Sequence, residues 1–177
     1  YRESLTTALE SGVNLLDTAS NYRAGRSEPV VADALEAADT PREAVVVATK
    51  GGFLPFDGER PDDPGAYVRR RFVDDGPLAP ADLARGSHAL TPAFLADQLD
   101  RSLSRLRVDR IDCYYLHNPE TQLAARDRAA VYDQLEAAFE LLERRRAAGE
   151  VGRYGIATWD ALRVPPSADA HLDLGEI

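Results

Sequence analysis

The chain has 177 residues, enough for one ordinary domain with a sizeable core. Thirty acidic residues against 21 basic ones give a formal charge of −9, which argues against nucleic acid as a partner. No signal peptide is visible, no apolar run approaches the ~20 residues of a membrane helix, and the single Cys113 excludes an internal disulfide, so we expect a cytoplasmic protein without a membrane partner.

The first part of the chain alternates between helical and strand-like patterns. The apolar spacing ahead of Gly12 predicts a helix that this glycine ends, and the run 13–18 then predicts a strand. Ser27 is a suitable N-cap for a second helix. The run 44–48 is apolar on both faces, as in a parallel strand that is covered on both sides, and predicts the second strand.

The segment 51–90 is rich in Gly, Pro and Asp and has no strong hydrophobic period. A short helix is predicted within it, near residues 62–72. Irregular segments of this length inside a compact domain are usually functional or disordered. We therefore expect a long loop or lid.

Regular patterns return after this segment. Thr91 and Pro92 are typical of a helix start, and the run 111–116 predicts the third strand. A further helical stripe ends at Gly149, and the run 151–158 predicts the fourth strand. Alternation of this kind predicts parallel strands joined by right-handed crossovers.

Two α/β architectures fit such strands, a (β/α)8 TIM-type barrel and an open doubly wound sheet. No G-x-G-x-x-G motif follows the first strand, which favours the barrel. We predict that residues 1–177 form a single domain that covers about half of a parallel (β/α)8 barrel. Because Tyr1 falls inside the first predicted helix, we expect the chain to be part of something larger.

Polar side chains follow each of the predicted strands. In chain order, the residues at the strand ends are Asp17, Lys50, His117, Thr158 and Trp159. Because the carboxyl ends of parallel strands meet on one face of such a fold, we expect these side chains to share a site. Tyr22, in the loop after the first strand, can reach the same place.

This set of side chains suits proton transfer. A free tyrosine titrates near pH 10, and a cation within hydrogen-bonding range favours the tyrosinate. Lys50 is the only lysine among the 21 basic residues, and its ammonium, paired with Asp17, would act on Tyr22. A neutral His117 would orient a substrate carbonyl, while a nicotinamide cofactor would have to bring the hydride.

Each of these residues also has a purely structural interpretation. Asp17 suits a turn, Tyr22 suits loop packing, Lys50 suits a solvated surface, and His117 suits a helix cap or the core. Their joint placement after successive strands favours the site.

Four short runs carry a resemblance to a known family: Asp17-Thr18-Ala19-x-x-Tyr22, Ala48-Thr49-Lys50, Tyr115-Leu116-His117-Asn118-Pro119 and Tyr154-Gly155-Ile156. Together they resemble the aldo-keto reductases, (β/α)8-barrel enzymes that reduce carbonyl compounds with NADPH. The resemblance implies that the chain spans the second to fifth barrel strands. It implies a catalytic set of Asp17, Tyr22, Lys50 and His117 with Tyr22 as general acid, no metal, and a small aldehyde, ketone or alcohol as substrate.

One departure from the family concerns the nicotinamide site. The family usually carries Ser-Asn after its fifth strand, where Gly155 and Ile156 of this chain lead to Thr158 and Trp159. We expect Asp17, Thr158 and Trp159 to contact the cofactor. The resemblance alone implies NADP, with NAD as the alternative.

The long segment 51–90 is expected to act on the active-site face. Lying after Lys50, the segment would cover the active-site face as a lid, and trimming residues 57–85 would change substrate preference or KM while leaving the fold intact. His88, within this segment, is a candidate substrate contact.

Two other classes of protein stay open: a regulatory or binding protein with little turnover, and an inactive fragment. The sequence does not predict the subunit count.

Overall fold

Four parallel strands form a single sheet in the computed structural model, which describes residues 1–177. The strands are β1 (Leu15–Asp17), β2 (Val46–Gly51), β3 (Ile111–His117) and β4 (Val151–Ala157), hydrogen-bonded in that order. The prediction of four parallel strands is therefore confirmed. β1 is shorter than the predicted run 13–18 because the Val13 N–H donates back to the Ala8 carbonyl (3.0 Å), within the turn that ends the first helix.

Helices alternate with the strands. The α-helices are α1 (Arg2–Glu10), α2 (Ser27–Ala37), α3 (Pro64–Val68), α4 (Pro92–Leu106) and α5 (Arg128–Ala147). A π-helical stretch, Arg69–Asp74, continues α3, and the short 3-10 helices are Tyr22–Gly25, Arg42–Ala44, Pro80–Asp82, Pro119–Ala124 and Leu174–Glu176. Ser27 is the first residue of α2 rather than its N-cap, a position that Arg26 occupies without a side-chain bond. None of these helices has the length and apolar character needed to cross a bilayer.

The main core lies between the helices and one face of the sheet. Alternate residues of a strand point to opposite faces, so Leu16 is buried against the helices while Leu15 and Asp17 are exposed on the other face. The buried cluster draws side chains from all four strands and from α1, α2, α4 and α5. This packing fixes the strands whose ends carry the candidate site.

Residues 52–90 form an ordered layer with a core of their own. Six buried side chains make up this second cluster: Leu54, Val68, Phe72, Leu78, Ala89 and Phe94. Phe94 belongs to α4, so the segment packs on the first turn of that helix. The predicted short helix is present as α3 and its π-helical continuation. The two ends of the segment meet, because the Leu54 N–H donates to the Ser87 carbonyl (2.9 Å).

Candidate active site

The ends of β1, β2 and β3 carry three side chains of the candidate site. Asp17 is the last residue of β1, His117 is the last residue of β3, and Lys50 directly precedes the last residue of β2. The register pairs Asp17 with Ala48 and Lys50 with Tyr115. Because paired residues of parallel strands point the same way, Asp17, Lys50 and His117 lie on one face, at the carboxyl edge of the sheet.

The Lys50 ammonium is at the centre of the contacts. Its Nζ donates to Asp17 Oδ2 (2.7 Å), to the Thr18 carbonyl (2.8 Å) and to the Tyr22 hydroxyl (3.5 Å). An ammonium has three N–H groups and no acceptor, so these partners account for all of them. The Lys50 side chain is 8% exposed and the Asp17 side chain 47% exposed. The positive charge is thus enclosed by protein, while the carboxylate that neutralises it faces outward.

Tyr22 lies in the 3-10 helix that follows β1. Its hydroxyl faces Lys50, and its ring meets the His117 ring edge to face, with centroids 5.7 Å apart. The next two residues, Arg23 and Ala24, both have left-handed backbones, with φ of 52° and 57°. Such conformations cost about 1 to 3 kcal/mol each and persist where neighbouring structure holds them.

Residues 56–58 of the long segment hold this strained bend. The Gly58 N–H donates to the Ala24 carbonyl (2.7 Å). Gly25 lies so close to the Phe56 carbonyl oxygen that a Cβ at this position would be 2.3 Å from it. The base of the long segment therefore contributes to the position of the loop that bears Tyr22.

His117 is a buried, neutral imidazole. Burial and, second to it, the Lys50 ammonium lower the pKa of His117 to about 4. At pH 7 the ring therefore carries one N–H donor and one acceptor nitrogen. Phe53 packs edge to face on the same ring, with centroids 5.0 Å apart. A neutral imidazole held between Phe53 and Tyr22 can donate a hydrogen bond to a substrate oxygen.

Thr158 and Trp159 follow β4 and are held by Glu120. The Thr158 hydroxyl and the Trp159 and Asp160 N–H groups all donate to Glu120 Oε1, at 2.7, 3.0 and 3.3 Å. The Ala161 N–H donates to the Thr158 hydroxyl oxygen (3.0 Å), which leaves one lone pair of that oxygen free. The Trp159 residue is 71% exposed.

The structure gathers the four residues predicted as catalytic, Asp17, Tyr22, Lys50 and His117, around the Lys50 ammonium and the Tyr22 ring. The two other predicted residues lie at the end of the neighbouring strand. Sequence reasoning missed Glu120, because the groups it binds lie 38 to 40 residues further along the chain and no local pattern links them. No group of three or more His, Cys, Asp or Glu side chains is placed to hold a metal ion.

His88 does not face the site. Its side chain is fully buried, so the prediction that it contacts substrate is wrong. Instead, its Nε2 lies 2.7 Å from the backbone carbonyl oxygen of His117. No sequence pattern indicated this contact.

Comparison with known proteins points to one family. The family model described as "Aldo/keto reductase family" matches residues 2–171. D-threo-aldose 1-dehydrogenase from a Pseudomonas species is 34% identical over 174 residues, which cover 96% of this chain and 47% of that protein. NADH-specific methylglyoxal reductase from Escherichia coli is 35% identical over 115 residues, which cover 65% of this chain and 30% of that protein.

The comparison of structures agrees with the fold. Aldo-keto reductase AKR11C1 from Bacillus halodurans, in its holo form, superposes with a TM-score of 0.61 at 25% sequence identity, covering 89% of this chain and 40% of that one. The four-stranded parallel sheet with alternating helices is thus part of a (β/α)8 barrel, and the predicted fold class is confirmed. The chain spans about half, or less, of the length of the curated relatives it matches.

Proposed function

Since the chain belongs to the aldo/keto reductase family, we propose that its protein is an NAD(P)H-dependent oxidoreductase. It reduces aldehydes or ketones, or oxidises the matching alcohols, with Tyr22 as general acid and base. The observation that carries this proposal is the contact of the Tyr22 hydroxyl with the Lys50 ammonium, 3.5 Å apart, beside the carboxyl ends of β1 and β2. A cytoplasmic location and a small-molecule partner, rather than nucleic acid or membrane, belong to the same proposal.

In the reducing direction, Tyr22 gives its proton to the substrate oxygen as negative charge develops there. The Lys50 ammonium stabilises the charge left on the phenol oxygen, and Asp17 keeps the ammonium in place. His117 donates a hydrogen bond to the substrate oxygen and orients the carbonyl. A nicotinamide cofactor, when bound beside these residues, would supply the hydride that none of their side chains can provide. In alcohol oxidation Tyr22 takes the proton back.

Three residues at this edge of the sheet suit the nicotinamide end of the cofactor. The free lone pair of the Thr158 hydroxyl can accept from a carboxamide N–H. The exposed Trp159 offers an aromatic face, and the half-exposed Asp17 carboxylate can accept from a cofactor hydroxyl. We propose NADP as the cofactor by family resemblance, with NAD as the alternative, because one relative is named an NADH-specific reductase.

A direct assay tests the proposed activity. Full-length protein is mixed with NADPH or NADH and a panel of aldehydes, ketones and aldoses, and the nicotinamide absorbance is followed. Carbonyl-dependent consumption of either cofactor supports the proposal. Binding of a cofactor without turnover would favour the regulatory alternative, and absence of both binding and turnover would favour the inactive one.

We further propose that residues 51–90 act as a lid on the active-site face. Two observations support this. Phe53, near the start of the segment, packs on the His117 ring, and Phe56 and Gly58 contact the loop after Tyr22. A segment that touches the His117 ring and the loop that bears Tyr22 is placed to shape the substrate pocket.

Excision of residues 57–85 tests the lid. A short Gly-Ser linker can close the gap, because Leu54 and Ser87 are already hydrogen-bonded at 2.9 Å. We expect the KM for carbonyl substrates and their order of preference to change while the barrel stays folded. Excision uncovers Phe94, so a modest drop in melting temperature is expected as well.

The matched control is a substitution on the outer surface of the lid, Glu59→Ala, which should leave the substrate profile unchanged. Steady-state kinetics over the substrate panel and circular dichroism give the two readouts. An excised protein with an unaltered substrate profile would contradict the lid.

A further inference from the structure

His88 is a buried titratable side chain that the proposed chemistry does not use. It lies near the end of the lid and is fully buried. Its Nε2 is 2.7 Å from the His117 carbonyl oxygen, and its Nδ1 is 2.7 Å from Gln122 Nε2. Phe53 packs edge to face on its ring, with centroids 4.8 Å apart. Both ring nitrogens of this imidazole therefore have a polar partner, and the ring has an aromatic neighbour.

The neighbouring donors determine which nitrogen of His88 carries the proton. Arg126 is an obligate donor, and its Nη1 bonds Gln122 Oε1 at 2.6 Å. This contact turns the amide nitrogen of Gln122 toward His88, where it donates to Nδ1 and also to the His88 carbonyl (3.1 Å). Nδ1 is thus the acceptor, and Nε2 carries the hydrogen that is donated to the His117 carbonyl.

Burial reinforces this arrangement. It lowers the pKa of His88 to about 4, so the ring is neutral at pH 7. A second proton, on Nδ1, would face the N–H of Gln122. The hydrogen bonds of this network can therefore run in one direction only, with each residue donating to the next: Arg126 to Gln122, Gln122 to His88, and His88 to His117.

The segment around His117 is held from the opposite side as well. Asn118 has a left-handed backbone, with φ of 49°, and its N–H donates to the Ala157 carbonyl of β4 (2.7 Å). The His88 bond fixes the carbonyl of the preceding residue. The backbone that carries the His117 ring is thus clamped between β4 and the end of the lid.

We propose that His88 is a positioning residue for His117: its Nε2–H, aligned by Gln122 and Arg126, holds the His117 backbone so that the imidazole meets Tyr22 in the site. This inference rests on the proposed function, in which His117 orients the substrate carbonyl. It gives the lid a second role, because the same segment that covers the pocket also sets the position of a site residue.

Two substitutions at His88 separate positioning from simple packing. His88→Phe keeps a ring against Phe53 but removes the donor, while His88→Gln replaces the ring and retains an N–H near the position of Nε2. In the full-length protein we expect His88→Phe to lower kcat by about 10- to 100-fold with little change in the KM for the cofactor. We expect His88→Gln to recover most of that loss.

A spectroscopic readout needs neither cofactor nor turnover. In protein with 13C-labelled histidine rings, the His117 signal, assigned with His117→Asn, should shift in His88→Phe and return toward its original position in His88→Gln. His171→Phe is the matched control, because His171 Nδ1 also contacts a carbonyl, that of Val164 at 3.2 Å. It should leave both kcat and the His117 signal unchanged.

Gly52 offers an independent perturbation if His88→Phe does not fold. A Cβ at Gly52 would lie 2.9 Å from His88 Nε2 and 3.1 Å from the His117 carbonyl oxygen, and φ there is +134°. Gly52→Ala should therefore disturb the same hydrogen bond, with the same loss of kcat and the same signal shift.

The inference and the proposed function fail in different ways. A His117 signal that stays in place in both His88→Phe and Gly52→Ala overturns the positioning role, whatever the activity. Loss of kcat in His88→Phe that His88→Gln does not relieve overturns it too. If the wild-type protein shows no turnover but the His117 signal still moves as described in the His88 variants, the positioning role of His88 stands. The proposed oxidoreductase function is then wrong.

Discussion

Replacing Tyr22 by phenylalanine is expected to reduce kcat for carbonyl reduction by about 10²- to 10⁴-fold, the range that a positioned general acid contributes. The substitution removes the one hydroxyl that contacts the Lys50 ammonium. The Phe ring can keep its edge-to-face contact with His117. The cofactor can still bind, so its dissociation constant should change little. The fall is expected in kcat, because the substrate oxygen no longer has a proton donor.

The fold should tolerate this change. The Tyr22 hydroxyl makes one long contact, 3.5 Å to Lys50 Nζ, and the residue is 38% exposed. Loss of such a contact costs well under about 1 kcal/mol of stability. A fall in kcat can therefore be assigned to the missing proton donor, provided that the melting temperature is measured beside the kinetics.

Tyr154→Phe is the matched control. Tyr154 lies on β4, and its hydroxyl donates to Glu143 Oε2 (2.9 Å) on α5, on the helix side of the sheet. Removal of this hydroxyl should leave kcat within about twofold of the wild type, because the group is remote from the chemistry. Turnover that survives in Tyr22→Phe at the level of Tyr154→Phe would eliminate Tyr22 as the proton donor.

The strand ends were predictable because a parallel sheet follows simple rules. Once the alternating pattern assigns the strands, the last residues of successive strands must share one edge, and strand periodicity decides which face they take. Asp17, Lys50 and His117 follow from these rules. Tyr22 lies in a loop, so strand periodicity does not predict its position. It was indicated by its spacing from Asp17, which resembles the spacing in the family.

The sequence predicts a long loop or lid at residues 51–90 but not how this segment packs, because its packing comes from contacts between residues that are distant in the chain. Its core is completed by Phe94 of α4, and its ends meet through a bond between Leu54 and Ser87. Neither contact leaves a period in the sequence. His88 was misjudged for the same reason, because its partner atom is a backbone carbonyl, that of His117, which carries no sequence signal.

The single lysine is informative beyond its charge. The other 20 basic residues are all arginine, so Lys50 is the one position at which this chain keeps a compact ammonium group. The structure explains why a guanidinium would not substitute. Three partners, from Asp17, Thr18 and Tyr22, surround one nitrogen atom, an arrangement that suits the tetrahedral ammonium better than a planar fork.

Lys50→Met is therefore expected to lower kcat by about 10²- to 10³-fold, the usual loss when one preorganised electrostatic group is removed. Methionine has a similar length and fills the space of a side chain that is 8% exposed. The carboxylate left behind, that of Asp17, is 47% exposed and can be hydrated. The buried Thr18 carbonyl loses its donor, so the free energy of unfolding should fall by about 1 to 3 kcal/mol. Lys50→Arg should also lower kcat. The guanidinium keeps the positive charge, but its planar shape does not fit the site of the ammonium.

Arg42→Met provides the matched control for loss of an ion pair. Arg42 Nη2 and Asp112 Oδ2 are 2.8 Å apart, nearly the separation of Lys50 and Asp17, yet the pair links the segment before β2 to the first part of β3. Removal of this pair should reduce stability, since Arg42 also donates to the Val45 carbonyl (2.6 Å), and leave kcat nearly unchanged. Kinetics and thermal unfolding of both variants distinguish the two effects. If Lys50→Met keeps the kcat of Arg42→Met, the ammonium has no part in proton transfer, and Tyr22 would have to act without it.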